Sequence, residues 1–230
     1  LVERFDPARY IRNATLAENL LFGTPVGDTF NIENLASNAY VREVLAATGL
    51  SADLLEIGQK VAESMIELFS GLPPGHEMFE RFSFIQEDDL PLFKEILGNV
   101  SDVGLDQIDD TERDLLLTLP FKLISARHRL DLIDDALEAR ILTARRYFAQ
   151  NLPRGMRGAV EFFDPATYNR ALSLQDNILF GKIVTAQAGA GARISLLLRR
   201  VMDEQGLRPL VVRVGLGYQV GVGGTRLAVA

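Results

Sequence analysis

Phe5-Asp6-Pro7-Ala8-Arg9-Tyr10-Ile11-Arg12-Asn13-Ala14-Thr15-Leu16-Ala17-Glu18-Asn19-Leu20-Leu21-Phe22-Gly23 is said twice in this chain. The second version is Phe163-Asp164-Pro165-Ala166-Thr167-Tyr168-Asn169-Arg170-Ala171-Leu172-Ser173-Leu174-Gln175-Asp176-Asn177-Ile178-Leu179-Phe180-Gly181. The two align without a gap and share Phe-Asp-Pro-Ala, the Tyr, the Arg, a Leu and the closing Asn-x-Leu-Phe-Gly. Both copies should therefore fold alike. Asp before Pro suits a helical turn, with Asp accepting an orphan amide and Pro in the first position. Thr15 with Glu18 three residues on is a capping box, so each copy should carry a short helix that stops at Gly23 or Gly181.

Outward from the repeat the pattern is mostly helical. Leu35, Ala39, Val41, Val44 and Leu45 recur at helical spacing and stop at Gly49. Ser51 is expected to cap a helix whose apolar stripe includes Leu54, Val61, Met65 and Phe69. Acidic runs at Gln86-Glu87-Asp88-Asp89 and Asp109-Asp110-Thr111-Glu112 read as helix N-termini. The clearest helix is predicted from about Asp131 to Gln150, and another from Ala186 to Glu204, its first turn weakened by Gly189 and Gly191. Leu210-Val211-Val212-Arg213-Val214 reads as a strand. The fold expected is mainly α, a helical bundle-like array with a few short strands near 158–163 and 210–222. Three parts follow: residues 1–23 with the first copy, a helical insertion over 24–157, and 158–230 with the second copy.

Composition narrows the chemistry. Of 230 residues, 47% are hydrophobic and 24% charged, enough to bury a core. The formal charge of −7 argues against a nucleic-acid partner, because neutralising phosphates requires a basic protein. Cysteine is absent, so no thiolate site or nucleophile exists. Only His76 and His128 offer imidazole, which disfavours a histidine-based triad or metal site. No apolar run reaches the ~20 residues of a membrane helix. The chain starts at Leu1 and stops at Ala230, and is read as an excised piece of a longer protein.

Two stretches resemble the nucleotide-binding domain of ATP-binding cassette (ABC) transporters of the exporter type. Residues 15–23 and 173–181 are similar to the "(S/T)-(I/L)-x-(E/D)-N-I-L-(F/Y)-G" segment that follows that family's Q-loop. Val220-Gly221-Val222-Gly223-Gly224-Thr225-Arg226-Leu227 resembles the "V-G-x-x-G-x-x-L" run before its signature sequence. The resemblance implies a region running from after the Q-loop to the signature's edge. It implies ATP and Mg bound in the full-length protein, though by no part of this piece. It implies two partners, a transmembrane domain and a second nucleotide-binding domain, and a cytoplasmic position at the inner face of the membrane. Gly223, Gly224 and Ala228 are the positions it places nearest nucleotide. Asn19, Phe22, Asn177 and Phe180 are those it places toward the transmembrane domain. The family's Gly-x-x-x-x-Gly-Lys-(Ser/Thr) loop and Asp-Glu pair do not occur, and Ala228, Val229 and Ala230 stand where the signature Ser and glycines belong. No catalytic or metal-ligating residue is therefore expected here.

The alternative is a non-catalytic helical module for protein–protein interaction or regulation. A small-molecule enzyme is disfavoured by the poor supply of nucleophiles and bases. The acidic clusters read as helix N-termini or solvated faces, since their spacing is not that of a calcium loop. His128, between Arg127 and Arg129, reads as a surface helix end with a depressed pKa. Arg145-Arg146 and Arg199-Arg200 read as solvated helix ends.

Overall fold

The computed structural model describes residues 1–73, 76, 85–128 and 130–216. Helices dominate it, and the four strands are three residues each, so the mainly α expectation holds. In chain order the elements are β1 (Val2–Arg4), α1 (Leu16–Leu21), β2 (Gly23–Pro25), α2 (Ala39–Ala47) and α3 (Ser51–Phe69). Then come α4 (Leu90–Val103), α5 (Asp110–Phe121), the single turn α6 (Ser125–His128) and α7 (Asp135–Asn151). β3 (Val160–Phe162), α8 (Leu174–Leu179), β4 (Gly181–Ile183), α9 (Ala190–Glu204) and α10 (Arg208–Leu216) complete the series.

One compact unit spans residues 3–182 and holds both copies of the repeat with everything between them. Its core is helical. α3 lies against α4 and α5, and α7 lies against α1 and α2. Leu35, Val41, Val44, Leu54, Met65, Leu116, Phe121, Ile141 and Phe148 are wholly buried in it. α3 and α5 approach so closely that a Cβ on Gly58 would collide with the Leu116 carbonyl, which explains a helix-interior glycine despite its propensity cost. α5 starts as expected, with a capping box between Asp109 and Glu112. Pro120 falls one residue before the end of that helix, late enough to be accommodated.

The other unit comprises residues 1–2 and 183 onward, and its described helices are α9 and α10. Gly189 (φ 70°) precedes α9. Here one expectation is corrected: Leu210 to Val214 is helix, not strand. Gly206 (φ 65°) reverses the chain after α9, and Pro209 sits in the first turn of α10. Val211 N–H then donates to Leu207 O at 3.0 Å. Valine disfavours helix by only a few tenths of a kcal/mol, so this local start signal outweighs the β-branched run. Residues 217–222 of the same expectation lie outside the described residues, as do Gly223, Gly224 and Ala228. The strand expected near 158–163 is β3.

A second correction concerns α7. It begins at Asp135, not Asp131: Asp134 is its N-cap, with Oδ1 accepting from Leu137 N–H at 2.7 Å. Asp131 itself is at φ 51°, outside any helix. The cap expected at Ser51 is corrected too: α3 starts at Ser51 itself, with no side-chain cap.

Candidate functional site

The repeat forms a reciprocal clasp. β1, leading into the first copy, pairs with β4, leaving the second, while β2, leaving the first, pairs antiparallel with β3, leading into the second. Each bond has its counterpart 158 residues away. Phe5 N–H donates to Phe180 O at 3.0 Å, and Phe163 N–H to Phe22 O at 3.0 Å. Val26 N–H donates to Ala159 O at 2.9 Å, and Val184 N–H to Leu1 O at 2.9 Å. The two copies are thus related by an approximate two-fold.

Aromatic rings lie at its centre. Phe5 and Phe163 stack at 3.9 Å between centroids with 9° between planes. Phe180 meets Phe5 edge-on at 5.4 Å, and Phe22 meets Phe163 likewise at 5.4 Å. Edge-to-face and stacked contacts add to the burial of such rings. Ile11, Ala14 and Leu172 complete this second, smaller core.

Each motif position has a distinct task. Asp6 and Asp164 accept from the N–H two residues on, Ala8 at 2.9 Å and Ala166 at 2.8 Å. Their carbonyls accept from Arg9 and Thr167 N–H, both at 3.2 Å. These are β-turns with Pro in second place and not helix starts, so the expected cap is an Asx turn. Thr15 and Ser173 are true N-caps; Glu18 completes a capping box, whereas the shorter Asp176 does not. Asn19 ties its helix to the preceding turn. Its Oδ1 accepts from Ile11 N–H at 2.8 Å and its Nδ2 donates to Ile11 O at 2.9 Å and Thr15 O at 3.0 Å. Asn177 repeats this with Asn169 N–H (2.9 Å), Asn169 O (2.8 Å) and Ser173 O (3.0 Å).

The helices stop at Phe, not at Gly. Phe22 (φ 45°, ψ 48°) and Phe180 (φ 43°, ψ 54°) both take the left-handed conformation that bulky residues rarely adopt. Gly23 and Gly181 are required for another reason. A Cβ on Gly23 would lie 2.7 Å from Glu161 O, and one on Gly181 would collide with Glu3 O. The strands of the clasp pass too close for any side chain.

The structure adds residues that the sequence reading passed over. Glu3 caps the turn after Ile11, accepting from Arg12 N–H at 3.0 Å and Asn13 N–H at 2.7 Å, and Glu161 accepts from Ala171 N–H at 3.0 Å. The signal was present: Val-Glu-x-Phe precedes Asp-Pro in both copies. Arg145 is the larger correction. Read as a solvated helix end, it is buried. Its guanidinium donates to the carbonyls of Asn19 (2.7 Å), Arg9 (3.0 Å), Pro7 (3.2 Å) and Asp6 (3.3 Å), and to Asn19 Oδ1 (2.8 Å). It also lies 4.5 Å from the Phe22 ring centre, a cation–π distance. Burial pushes its pKa down to about 10, which leaves it charged at neutral pH. The clue was position: Arg145 falls between Ile141 and Phe148 on the buried face of α7.

Of the four positions assigned to a coupling face, Asn19 and Phe22 are buried beneath α7, and Asn177 and Phe180 are half-buried. His128 is corrected from surface to buried. Its Nδ1 accepts from Ile124 N–H at 2.9 Å, and burial first, then Arg127, pushes its pKa down to about 4. It borders a cleft of about 400 Å³ with Thr15, Glu33, Asp89, Lys122 and Arg127. Lys122 Nζ and Glu33 are already paired across it at 3.0 Å. Among the described residues, no three of His, Asp and Glu converge on a metal position, and no helix is long and apolar enough to cross a membrane. No protein-family model, curated protein or solved structure matches the chain.

Proposed function

We propose that this chain is a helical region of the ATP-binding subunit of an ABC transporter, one that couples ATP binding and hydrolysis to transport in the complete protein. The observation that carries it is the paired Asn-x-Leu-Phe-Gly: both matches to the family segment are capped helices braced by their Asn and ended by a left-handed Phe. A motif whose cap, Asn brace and left-handed Phe recur with the same bonds in both copies is not a chance run of letters. On this reading ATP and Mg are held by sequence outside these 230 residues, and the partners are a transmembrane domain and a second nucleotide-binding domain at the cytoplasmic face of the membrane.

The test has two arms. The complete protein should hydrolyse ATP, and the 230-residue chain should show neither turnover nor a melting shift with millimolar Mg-ATP. Ligand at 100 times its dissociation constant would stabilise by about 2.7 kcal/mol, well within detection. A complete protein without turnover, or a nucleotide-dependent shift in the isolated chain, contradicts the proposal.

A second reading, a non-catalytic interaction module, draws on the exposed aliphatic residues Leu196, Leu197, Leu210 and Val214 of α9 and α10. Exposed apolar surface of that kind marks interaction sites. A complete protein that binds no nucleotide would favour it.

A further inference from the structure

The two copies of the repeat are the same object in two environments. In the first, α7 lies over α1, and Tyr10, Leu16 and Leu20 are 7%, 1% and 1% exposed. In the second, the matching Tyr168, Leu174 and Ile178 are 61%, 42% and 50% exposed. Among the described residues of the same unit no helix is packed on α8 as α7 is packed on α1.

The polar groups of that face are matched as well. Arg145 binds the carbonyls of Asp6, Pro7, Arg9 and Asn19 together with Asn19 Oδ1. The turn at Asp164 and the brace at Asn177 reproduce the bonds that fix those groups in the first copy. By that correspondence the carbonyls of Asp164, Pro165, Thr167 and Asn177 match the four that Arg145 binds, and Phe180 shares the left-handed backbone and edge-on ring contact of Phe22. A cluster of carbonyl oxygens next to an aromatic face is a cation site, and five converging acceptors suit a guanidinium better than an ammonium.

We infer that the exposed face of α8 is a docking site for a partner helix with the chemistry of α7: an arginine with an aliphatic residue four positions before it, a small residue immediately before, and an aromatic three positions after. In α7 these are Arg145, Ile141, Ala144 and Phe148, all buried. The arginine enters the carbonyl array, and its apolar neighbours cover Leu174 and Ile178. Gln175 in place of Ala17 makes the new site more polar at one edge and sets it apart from the old one. The inference deepens the coupling-face role proposed for Asn177 and Phe180 by naming the partner's chemistry. It stands on the internal repeat alone, so an ATPase result and a docking result fail separately.

The probe is a labelled peptide of residues 134–151, titrated into the 230-residue protein and followed by fluorescence anisotropy. Saturable binding is expected. It should weaken about tenfold or more, the size of one hot-spot contact, when the peptide carries Arg145→Gln. The same loss is expected when the protein carries Ile178→Asp, with Tyr168→Ala as a second variant at a still more exposed position; circular dichroism confirms that each is folded. Binding no tighter than that of a scrambled peptide overturns the inference. So does binding that neither protein variant weakens, which would mean exchange with the chain's own α7. A concentration-dependent dimer in sedimentation velocity that Ile178→Asp abolishes, without peptide binding, would make the occupant a second copy and overturn it too.

Discussion

Asn19→Ala and Asn177→Ala are the same substitution at equivalent positions of the two copies, and they should not cost the same. Asn19 is wholly buried, and its Oδ1 serves two donors, Ile11 N–H and the Arg145 guanidinium. Alanine leaves a buried amide without an acceptor, at about 1–3 kcal/mol, and removes a charge-assisted bond of about 1.5–3 kcal/mol. The carbonyls of Ile11 and Thr15 lose the Nδ2 donor as well. A total of about 3–4 kcal/mol is expected, since such terms do not add fully. Asn177 makes the same local bonds but is half-buried, with no arginine on it among the described residues, so water replaces what alanine removes. About 1 kcal/mol is expected there. Urea denaturation with unchanged m-values reads the difference as separate midpoints. In a melting scan the two should fall by roughly 6–16 °C and 2–4 °C. Equal losses, or a larger loss for Asn177→Ala, would refute the claim that α7 and Arg145 make the first copy structurally central.

Three further outcomes follow from the same geometry. Gly23→Ala should cost about 1–3 kcal/mol because its Cβ meets Glu161 O at 2.7 Å, whereas Gly155→Ala, with open space around it, should be close to neutral; equal midpoints would deny the close approach. His128 has a folded pKa pushed down to about 4 from an ordinary value near 6.5, so the unfolded chain takes up its proton first as pH falls. Stability is full above about pH 6.5 and declines toward pH 4, by about 1.4 kcal/mol per pH unit. His128→Asn, which keeps an acceptor for Ile124 N–H, should flatten that slope; an unchanged slope would place the titration elsewhere. Arg145→Lys should lose about 2 kcal/mol or more, because one ammonium cannot reach five acceptors; a melting midpoint within a degree of the parent's would contradict the carbonyl array.

The sequence was most legible where chemistry is local. A capping box placed α1, an acidic run placed the start of α5, apolar spacing placed α2 and α3, and the repeat announced that residues 5–23 and 163–181 would fold alike. It was least legible where the outcome depended on partners distant in the chain. Nothing near Gly23 reveals that it must let the backbone of Glu161 pass. Arg145 beside Arg146 looked solvated because charge outranked position in the reading; its acceptors lie more than 120 residues away. The helix at Leu210 to Val214 was missed because β-branched composition was weighed above Gly206 and Pro209. At the candidate site, the motif was readable, but the difference between its covered and open copies was not, because covering is a property of α7.

The direction of dependence between repeat and helical segment follows from the clasp. β2 opens that segment and β3 closes it, so residues 24–159 leave and return through one pair of hydrogen-bonded strands. Clasped ends make the length of what lies between them a weak constraint on stability, since loop-closure entropy grows only slowly with length. The clasp, however, has few buried residues of its own: Phe5, Ile11, Ala14, Phe22 and Phe163. A core of that size does not sustain a fold alone. The first copy gains what it lacks by sinking α1 into the larger core under α7, with Arg145 satisfying carbonyls that burial would otherwise orphan. The second copy has the matching carbonyls, with Asn169 and Gln175 where the first has Ile11 and Ala17, and among the described residues it lacks that cover. The repeat is symmetric in the bonds of its clasp and asymmetric in its burial, and among the described residues α7 is the helix that covers one copy and not the other.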